Sequence, residues 1–217
     1  MLEAVLFDLD GTVADTAPDL GAAANRLRQE AGLTPLPLAA LRPYTSQGVR
    51  GLLRVAFATA PGEEGYEALA ARFLELYAAD ICVHTTLFDG IAELLDRLDA
   101  TGVPWGIVTN KRSRFTLPLL ERLGLASRTP CVVSGDTTAA TKPSPLPVLH
   151  ACSLLSVAPG KVLYVGDDLR DIQSGRAAGT LTAAVSYGYL GDCPPLDEWN
   201  AHFVAGHPRE LAGFIFG

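Results

Sequence analysis

The sequence predicts an α/β protein: a doubly wound parallel sheet with a small all-helical unit inserted after its first strand. Three observations lead there. Short, continuously apolar runs recur along the chain, and each ends in small or polar residues. Such runs suit strands covered on both faces, as in a parallel sheet. Segments with apolar residues at helical spacing alternate with them, the pattern of strand–helix–strand units. One long interval breaks the alternation and carries helical periodicity only.

The first run is AVLFDLDGT, residues 4–12. Ala4, Val5, Leu6 and Phe7 form the strand, and Asp8, Asp10, Gly11 and Thr12 form its polar end. The helical interval follows. Leu20, Ala23, Ala24, Leu27 and Ala31 share one helix face; Val49, Leu52, Leu53, Ala56 and Phe57 a second; Tyr66, Leu69, Ala70, Phe73, Leu76 and Tyr77 a third. A small helical bundle accounts for all three. The joints GLTPLPL (32–38) and APGEEG (60–65) separate its helices. The chain rejoins the sheet near HTTLFDG (84–90), which assigns 15–84 to a helical cap and 1–14 with 85–217 to a core. Within that core Ile91, Leu94, Leu95 and Leu98 mark a helix, and VPWGIVTN (103–110) the second strand. Phe115, Leu119, Leu120 and Leu123 mark another helix, and PCVVSGD (130–136) the third strand. KVLYVGDD (161–168) and LTAAVS (181–186) complete a Rossmann-like order.

With 217 residues, 48% of them hydrophobic and 19% charged, the chain has ample material for a core and is not of disordered composition. A net charge of -7 and the lack of any Lys/Arg run argue against a nucleic-acid partner. Cys82, Cys131, Cys152 and Cys193 form no C-x-x-C pair, so reduced cysteines in a cytoplasmic protein are expected. No signal-peptide pattern and no membrane-length apolar run is present, so no membrane partner is expected. The expected assembly is a monomer or weak homodimer.

In open parallel sheets, ligands bind at the carboxyl ends of the strands. Here those ends carry Asp8 and Asp10, then Thr109 and Asn110, then Asp167 and Asp168, with Lys142 ahead of the helix that precedes the fourth strand. Asp8 and Asp10, two residues apart, project to the same side of an extended chain. Acids gathered in one crevice repel unless a cation sits among them, and an all-oxygen donor set suits Mg²⁺. A hydroxyl, an amide and a lysine beside them suit a phosphate. Taken alone, each piece has an ordinary explanation: a turn, a solvated lysine, a helix N-cap. The four together, in this order, carry the argument.

The set DLDGT (8–12), TN (109–110), KP (142–143) and GDDLRD (166–171) resembles the four motifs of the haloacid dehalogenase-like hydrolases, and the likeness extends over essentially the whole chain. The second acid of D-x-D resembles the phosphatase branch. FDLDGTVADTAPDL (7–20) is similar to the phosphoglycolate phosphatases. CVHTTLFDG (82–90), WGIVTNK (105–111) and VGDDLRDIQSGRAAGTLTAAVSYGYL (165–190) resemble N-acetylmuramic acid 6-phosphate phosphatases.

The resemblance implies a Mg²⁺-dependent phosphomonoester hydrolase acting on a small phosphorylated metabolite. Asp8 would be the nucleophile, forming an aspartyl-phosphate. Asp10 would protonate the leaving alkoxide and then activate water. Mg²⁺ would be held by the Asp8 carboxylate, the Asp10 backbone carbonyl and Asp167. Thr109, the Asn110 backbone and Lys142 would hold the phosphate, with Asp168 and Asp171 supporting the metal-bound water or Lys142. The segment YTSQGVRG (44–51) resembles a cap loop that faces the active site, which makes Ser46 and Arg50 specificity candidates, Arg50 for a substrate carboxylate. Phosphoglycolate is the first expected substrate, N-acetylmuramic acid 6-phosphate the second. A sugar-phosphate mutase shares the motifs. A non-catalytic phosphate-binding or receiver-like protein is the alternative of another class. The long helical interval argues against a receiver, and the presence of Asp8 and Asp167 against a non-catalytic binder.

Overall fold

The computed structural model describes residues 2–217. Strand β1 (Ala4–Phe7) is buried along its whole length. The chain then makes a two-residue strand, β2 (Ala14–Asp15), and enters the helices α1 (Ala17–Glu30), α2 (Leu38–Leu41), α3 (Gly48–Phe57) and α4 (Tyr66–Ala79), with a 3₁₀ turn over Arg42–Gln47. It leaves through β3 (Thr86–Leu87), which pairs antiparallel with β2, Ala14 opposite Leu87 and Asp15 opposite Thr86. This pairing brings the entry and exit of the helical stretch side by side. Asp19 in the first turn of α1 reinforces the joint. Its buried carboxylate accepts the N–H groups of Val83, His84 and Thr85 and the Thr85 hydroxyl at 2.7–3.0 Å.

The remaining elements alternate as expected: α5 (Ile91–Thr101), β4 (Trp105–Val108), α6 (Ser113–Arg122), β5 (Cys131–Val133), α7 (Leu146–Leu155), β6 (Val162–Gly166), α8 (Leu169–Ala178), β7 (Leu181–Val185), β8 (Phe203–Ala205) and α9 (Pro208–Phe216). The main sheet has six parallel strands in the order β5-β4-β1-β6-β7-β8. Side chains alternate between its faces. Val5 and Phe7 of β1 join a core with Ile91, Leu95, Leu119 and Leu211, while Ala4 and Leu6 join Val148, Ala151 and Cys152 of α7. The strand order reverses between β1 and β6, where Phe7 lies opposite Val165. That switch point places the ends of β1 and β6 next to each other and opens the crevice in which such sheets bind ligands.

Several details differ from the sequence-based expectation. The sheet has a sixth strand, β8, and the two-residue pair β2–β3 is additional. Ala31 lies just past the end of α1 and is exposed. Val49, Phe57, Leu69, Ala70 and Leu123, all placed on apolar helix faces, are half-buried. All four cysteines are free, and Cys82 and Cys193 are only half-buried. No helix among the described residues is long and apolar enough to cross a membrane.

Candidate active site

The end of β1 delivers Asp8 to the switch point. Its backbone N–H donates to Val165 O at 2.9 Å, continuing the β1–β6 ladder by one residue. Lys142 reaches it from the loop before α7. The Lys142 ammonium lies 2.7 Å from Asp8 Oδ1, 2.6 Å from Asp171 Oδ1 and 3.1 Å from the Val108 carbonyl, and all three side chains are buried. That contact pairs the Asp8 carboxylate with the Lys142 charge. Burial works against the charge on Lys142, but Asp171 and Asp8 outweigh it and hold its pKa above the ordinary value. The Tyr164 hydroxyl lies 2.9 Å from the Val108 carbonyl and 3.1 Å from Asp171 Oδ1.

Helix α8 organises the acids at the end of β6. Asp168 caps it, accepting the Arg170 N–H at 2.9 Å, and Asp171 returns to accept the Asp168 N–H at 3.0 Å. Gly166 permits this return, because a Cβ there would strike the Asp171 carboxylate. Burial pushes Asp171 up, and the balance of Lys142 against Asp8 and Asp168 leaves it at about 7. Arg170 holds Asp168 bidentately at 2.7 Å and keeps its carboxyl below the ordinary range despite burial. The same guanidinium donates to Ser46 O at 2.9 Å, tying α8 to the turn before α3.

Asp167 is wholly buried. Its Oδ1 accepts from Thr12 Oγ1 at 3.1 Å; its Oδ2 accepts from Ser46 Oγ and the Tyr189 N–H, each at 2.8 Å. Gly11, with φ +90°, lets the turn after β1 close over it, where a Cβ would collide with the carboxylate. Carboxylate oxygens of Asp8, Asp167 and Asp171 lie within 4.8 Å of one another. Burial, then the charges of Asp8 and Asp171, drive the Asp167 pKa well above the usual carboxylate range. Crowded acids and spare acceptor capacity on Asp167 Oδ1 fit a hard divalent cation such as Mg²⁺. Asp10 offers its backbone carbonyl nearby, 3.4 Å from Ser46 Oγ.

The Asp10 carboxylate faces a different set of partners. It accepts from Lys111 Nζ at 2.8 and 3.1 Å and from Thr16 Oγ1 at 2.6 Å. Lys111 also sits 4.7 Å from the centre of the Tyr77 ring on α4. Burial opposes its charge, but Asp10 and Tyr77 hold its pKa above the ordinary value. The Tyr77 hydroxyl is buried without a hydrogen-bond partner, and burial pushes its pKa up to about 12.

A cavity of about 280 Å³ opens over these groups. Asp8, Asp10, Thr109, Asn110, Lys142, Asp168 and Asp171 form its polar floor. Leu20, Phe73, Leu74, Tyr77 and Phe115 supply an apolar wall. Thr109 is buried, and its hydroxyl accepts the Lys111 N–H at 3.2 Å. The Asn110 side chain clamps the Lys142 backbone, accepting its N–H at 3.0 Å and donating to its carbonyl at 3.1 Å.

The structure thus brings together every sequence-derived candidate but one. Ser46 lines the cavity, whereas Arg50 points out from α3 and is not among the residues that line it. Its neighbour Val49 takes the inward place on the helix, so the structure does not bring Arg50 to the cavity. Sequence reasoning missed Thr16, Lys111, Arg170 and Tyr189. Lys111 had a local signal, since it directly follows Thr109 and Asn110. Tyr189 acts through its backbone and had none.

Comparisons with known proteins give the family. The model of the haloacid dehalogenase-like hydrolase family matches residues 5–185. An N-acetylmuramic acid 6-phosphate phosphatase of Pseudomonas putida is 46% identical over 214 residues, covering 99% of this chain and 96% of that protein. A phosphoglycolate phosphatase of Xanthomonas campestris pv. campestris is 45% identical over 209 residues, covering 96% and 94%. Among solved structures, a haloacid dehalogenase-like family hydrolase from Streptococcus pneumoniae shares the fold with a TM-score of 0.80 at 22% identity, covering 99% of this chain and 98% of that one. Given a family match over most of its length and relatives this similar end to end, the chain belongs to the haloacid dehalogenase-like hydrolases.

Proposed function

We propose that the protein is a Mg²⁺-dependent phosphomonoesterase in which Asp8 is the nucleophile. The observation that carries this reading is the state of Asp8: buried at the switch point, one carboxylate oxygen 2.7 Å from the Lys142 ammonium, with the Asp167 carboxylate close by. The Asp8 carboxylate attacks phosphorus, the bond to the ester oxygen breaks, and an aspartyl-phosphate forms. Asp10, held in place by Lys111 and Thr16, gives a proton to the leaving alkoxide. It then takes one from the water that cleaves the intermediate. Lys142, the Thr109 hydroxyl and the Asn110 backbone hold the phosphoryl oxygens. Asp8, Asp167 and the Asp10 carbonyl would hold Mg²⁺, which would supply positive charge against the phosphoryl group. Asp171 is the residue that orients Lys142.

The leaving alcohol faces the apolar wall. A two-carbon acid phosphate offers that wall almost no carbon, and the outward position of Arg50 removes the cation first assigned to such a substrate. A larger amino-sugar phosphate, of the kind named for the Pseudomonas putida relative, matches the wall better through the apolar surface it buries. The test is phosphate release, with and without Mg²⁺, from N-acetylmuramic acid 6-phosphate and phosphoglycolate. The expected result is a higher kcat/KM for the sugar phosphate and no turnover by Asp8→Asn. Near-wild-type kcat in Asp8→Asn overturns the mechanism, and a preference for phosphoglycolate reverses the substrate assignment.

A further inference from the structure

We infer that Arg112 reads a carboxylate on the leaving alcohol, because it is the one cation on the cavity wall, among the described residues, with no acid to hold. The inference rests on the phosphomonoesterase reading above and names the second group that the substrate must carry.

Four cationic residues line the cavity. Lys142 is committed to Asp8 and Asp171, Lys111 to Asp10, and Arg170 to Asp168. Breaking any of these contacts to bind substrate would leave a buried or half-buried acid uncompensated. Arg112 has no such engagement. It immediately precedes α6, with its side chain exposed, and makes no ion pair or side-chain hydrogen bond among the described residues. Asp136 is close enough for its charge to feel Arg112, but that carboxylate is held by the N–H and hydroxyl of Ser113, both at 2.9 Å. The first turn of α6 is therefore occupied by a protein acid, and the free donor beside it is the guanidinium.

The position explains what it would read. Lys142 and Thr109 mark the phosphoryl end of the cavity. Arg112 follows Lys111 in the loop after β4 and lines the cavity together with Phe115, whose N–H its carbonyl accepts at 2.9 Å, beyond the phosphoryl end where the leaving alcohol must lie. A guanidinium meets a carboxylate through two parallel N–H bonds, a geometry that the ammonium of Lys111 cannot offer. The ligand class is a phosphate monoester whose alcohol bears a carboxylate. The compounds named for both relatives contain one, close to the phosphate in phosphoglycolate and across a sugar ring in N-acetylmuramic acid 6-phosphate.

Two matched pairs test this and separate the two spacings. N-acetylmuramic acid 6-phosphate is compared with N-acetylglucosamine 6-phosphate, which lacks the lactyl carboxylate. Phosphoglycolate is compared with 2-hydroxyethyl phosphate. The readout is the ratio of kcat/KM within each pair, for wild type, Arg112→Ala and Arg112→Lys. Hydrogen bonds to charged groups predict that the wild-type preference for the acid falls about 10- to 100-fold in Arg112→Ala, with partial recovery in Arg112→Lys. The pair in which the fall occurs identifies the spacing. The main-chain carbonyl of Arg112 caps α6 through Phe115 N and Thr116 N, so truncating the side chain leaves the fold in place. Ratios unchanged by Arg112→Ala in both pairs, or no wild-type preference for either acid, overturn the inference. Failure of the wild-type enzyme to hydrolyse any of the four esters, or p-nitrophenyl phosphate, removes the phosphomonoesterase reading, and this inference with it.

Discussion

Replacing Lys142 by Met tests the electrostatics of the site without reference to any substrate. Met keeps much of the side-chain length and removes the charge. In the wild type the ammonium lies 2.7 Å from Asp8 Oδ1 and 2.6 Å from Asp171 Oδ1, and both carboxylates are buried. Tyr164 and the Asp168 N–H still reach Asp171 in the variant, whereas Asp8 Oδ1 has no hydrogen bond to fall back on. Removing one partner of a buried ion pair costs about 3–5 kcal/mol, because an acid is left buried without its counter-charge. For a chain of this size, with an m-value of about 3 kcal/mol/M, that is a drop of about 1–1.7 M in the urea midpoint. The assay is equilibrium unfolding of metal-free protein at pH 8. At pH 5 the loss should shrink, because the released carboxylates can take up protons in the folded state. A loss below about 1 kcal/mol at pH 8 would refute the claim that Lys142 is the counter-charge for this pair.

The pH dependence of the metal-free protein is a second prediction. Asp171 rises from an ordinary 3.8 to about 7 on folding, so the native state keeps a proton that the unfolded state releases. The stability from this group is full below about pH 4 and is lost as pH rises through 7. The stability of Asp171→Asn relative to wild type should therefore increase from pH 4 to pH 8, and a flat difference in urea midpoints would contradict this. Mg²⁺ at about 100 times its Kd should stabilise the wild type by about 2.7 kcal/mol, read as a rise in Tm that Asp167→Asn abolishes. Asp10→Asn should lower kcat by about 10²–10⁴-fold for alkyl phosphates. Asp19→Ala, which leaves the Val83, His84 and Thr85 N–H groups without their acceptor, should cost at least about 2 kcal/mol in urea unfolding while leaving the acids at the end of the sheet in place.

The sequence made the strand ends legible because their information is local. Apolar runs of four or five residues that stop at Asp8, Thr109 and Asp167 mark both the strand and the side chains it delivers. Strand β8 escaped notice for the opposite reason. Phe203 is half-buried and Val204 exposed, so no continuous apolar run announces it. Strands β2 and β3 are two residues long, too short for any periodicity. Arg50 lies outside the cavity: a loop likeness does not specify helix phase, and one position along α3 separates Val49 at the cavity from Arg50 on the exposed side. Lys111 and Thr16 became visible as site residues only once the fold placed them against Asp10, 101 and 6 residues away in the chain.

The contacts of Ser46 join two halves of the chemistry that the sequence presented separately. The turn that carries it belongs to the helical stretch, yet its hydroxyl donates to Asp167 and its carbonyl accepts from Arg170, which in turn holds Asp168. The turn that helps enclose the leaving alcohol is therefore also part of the hydrogen-bond set around the acids proposed to hold the cation. Withdrawing it would remove one of the three donors that stabilise the Asp167 carboxylate and would open the cavity to water together. A buried acid crowded by Asp8 and Asp171 loses more from a missing donor than a solvated one does. One serine thus ties the helical stretch to the acids at the end of the sheet, without any change in the sheet that positions them.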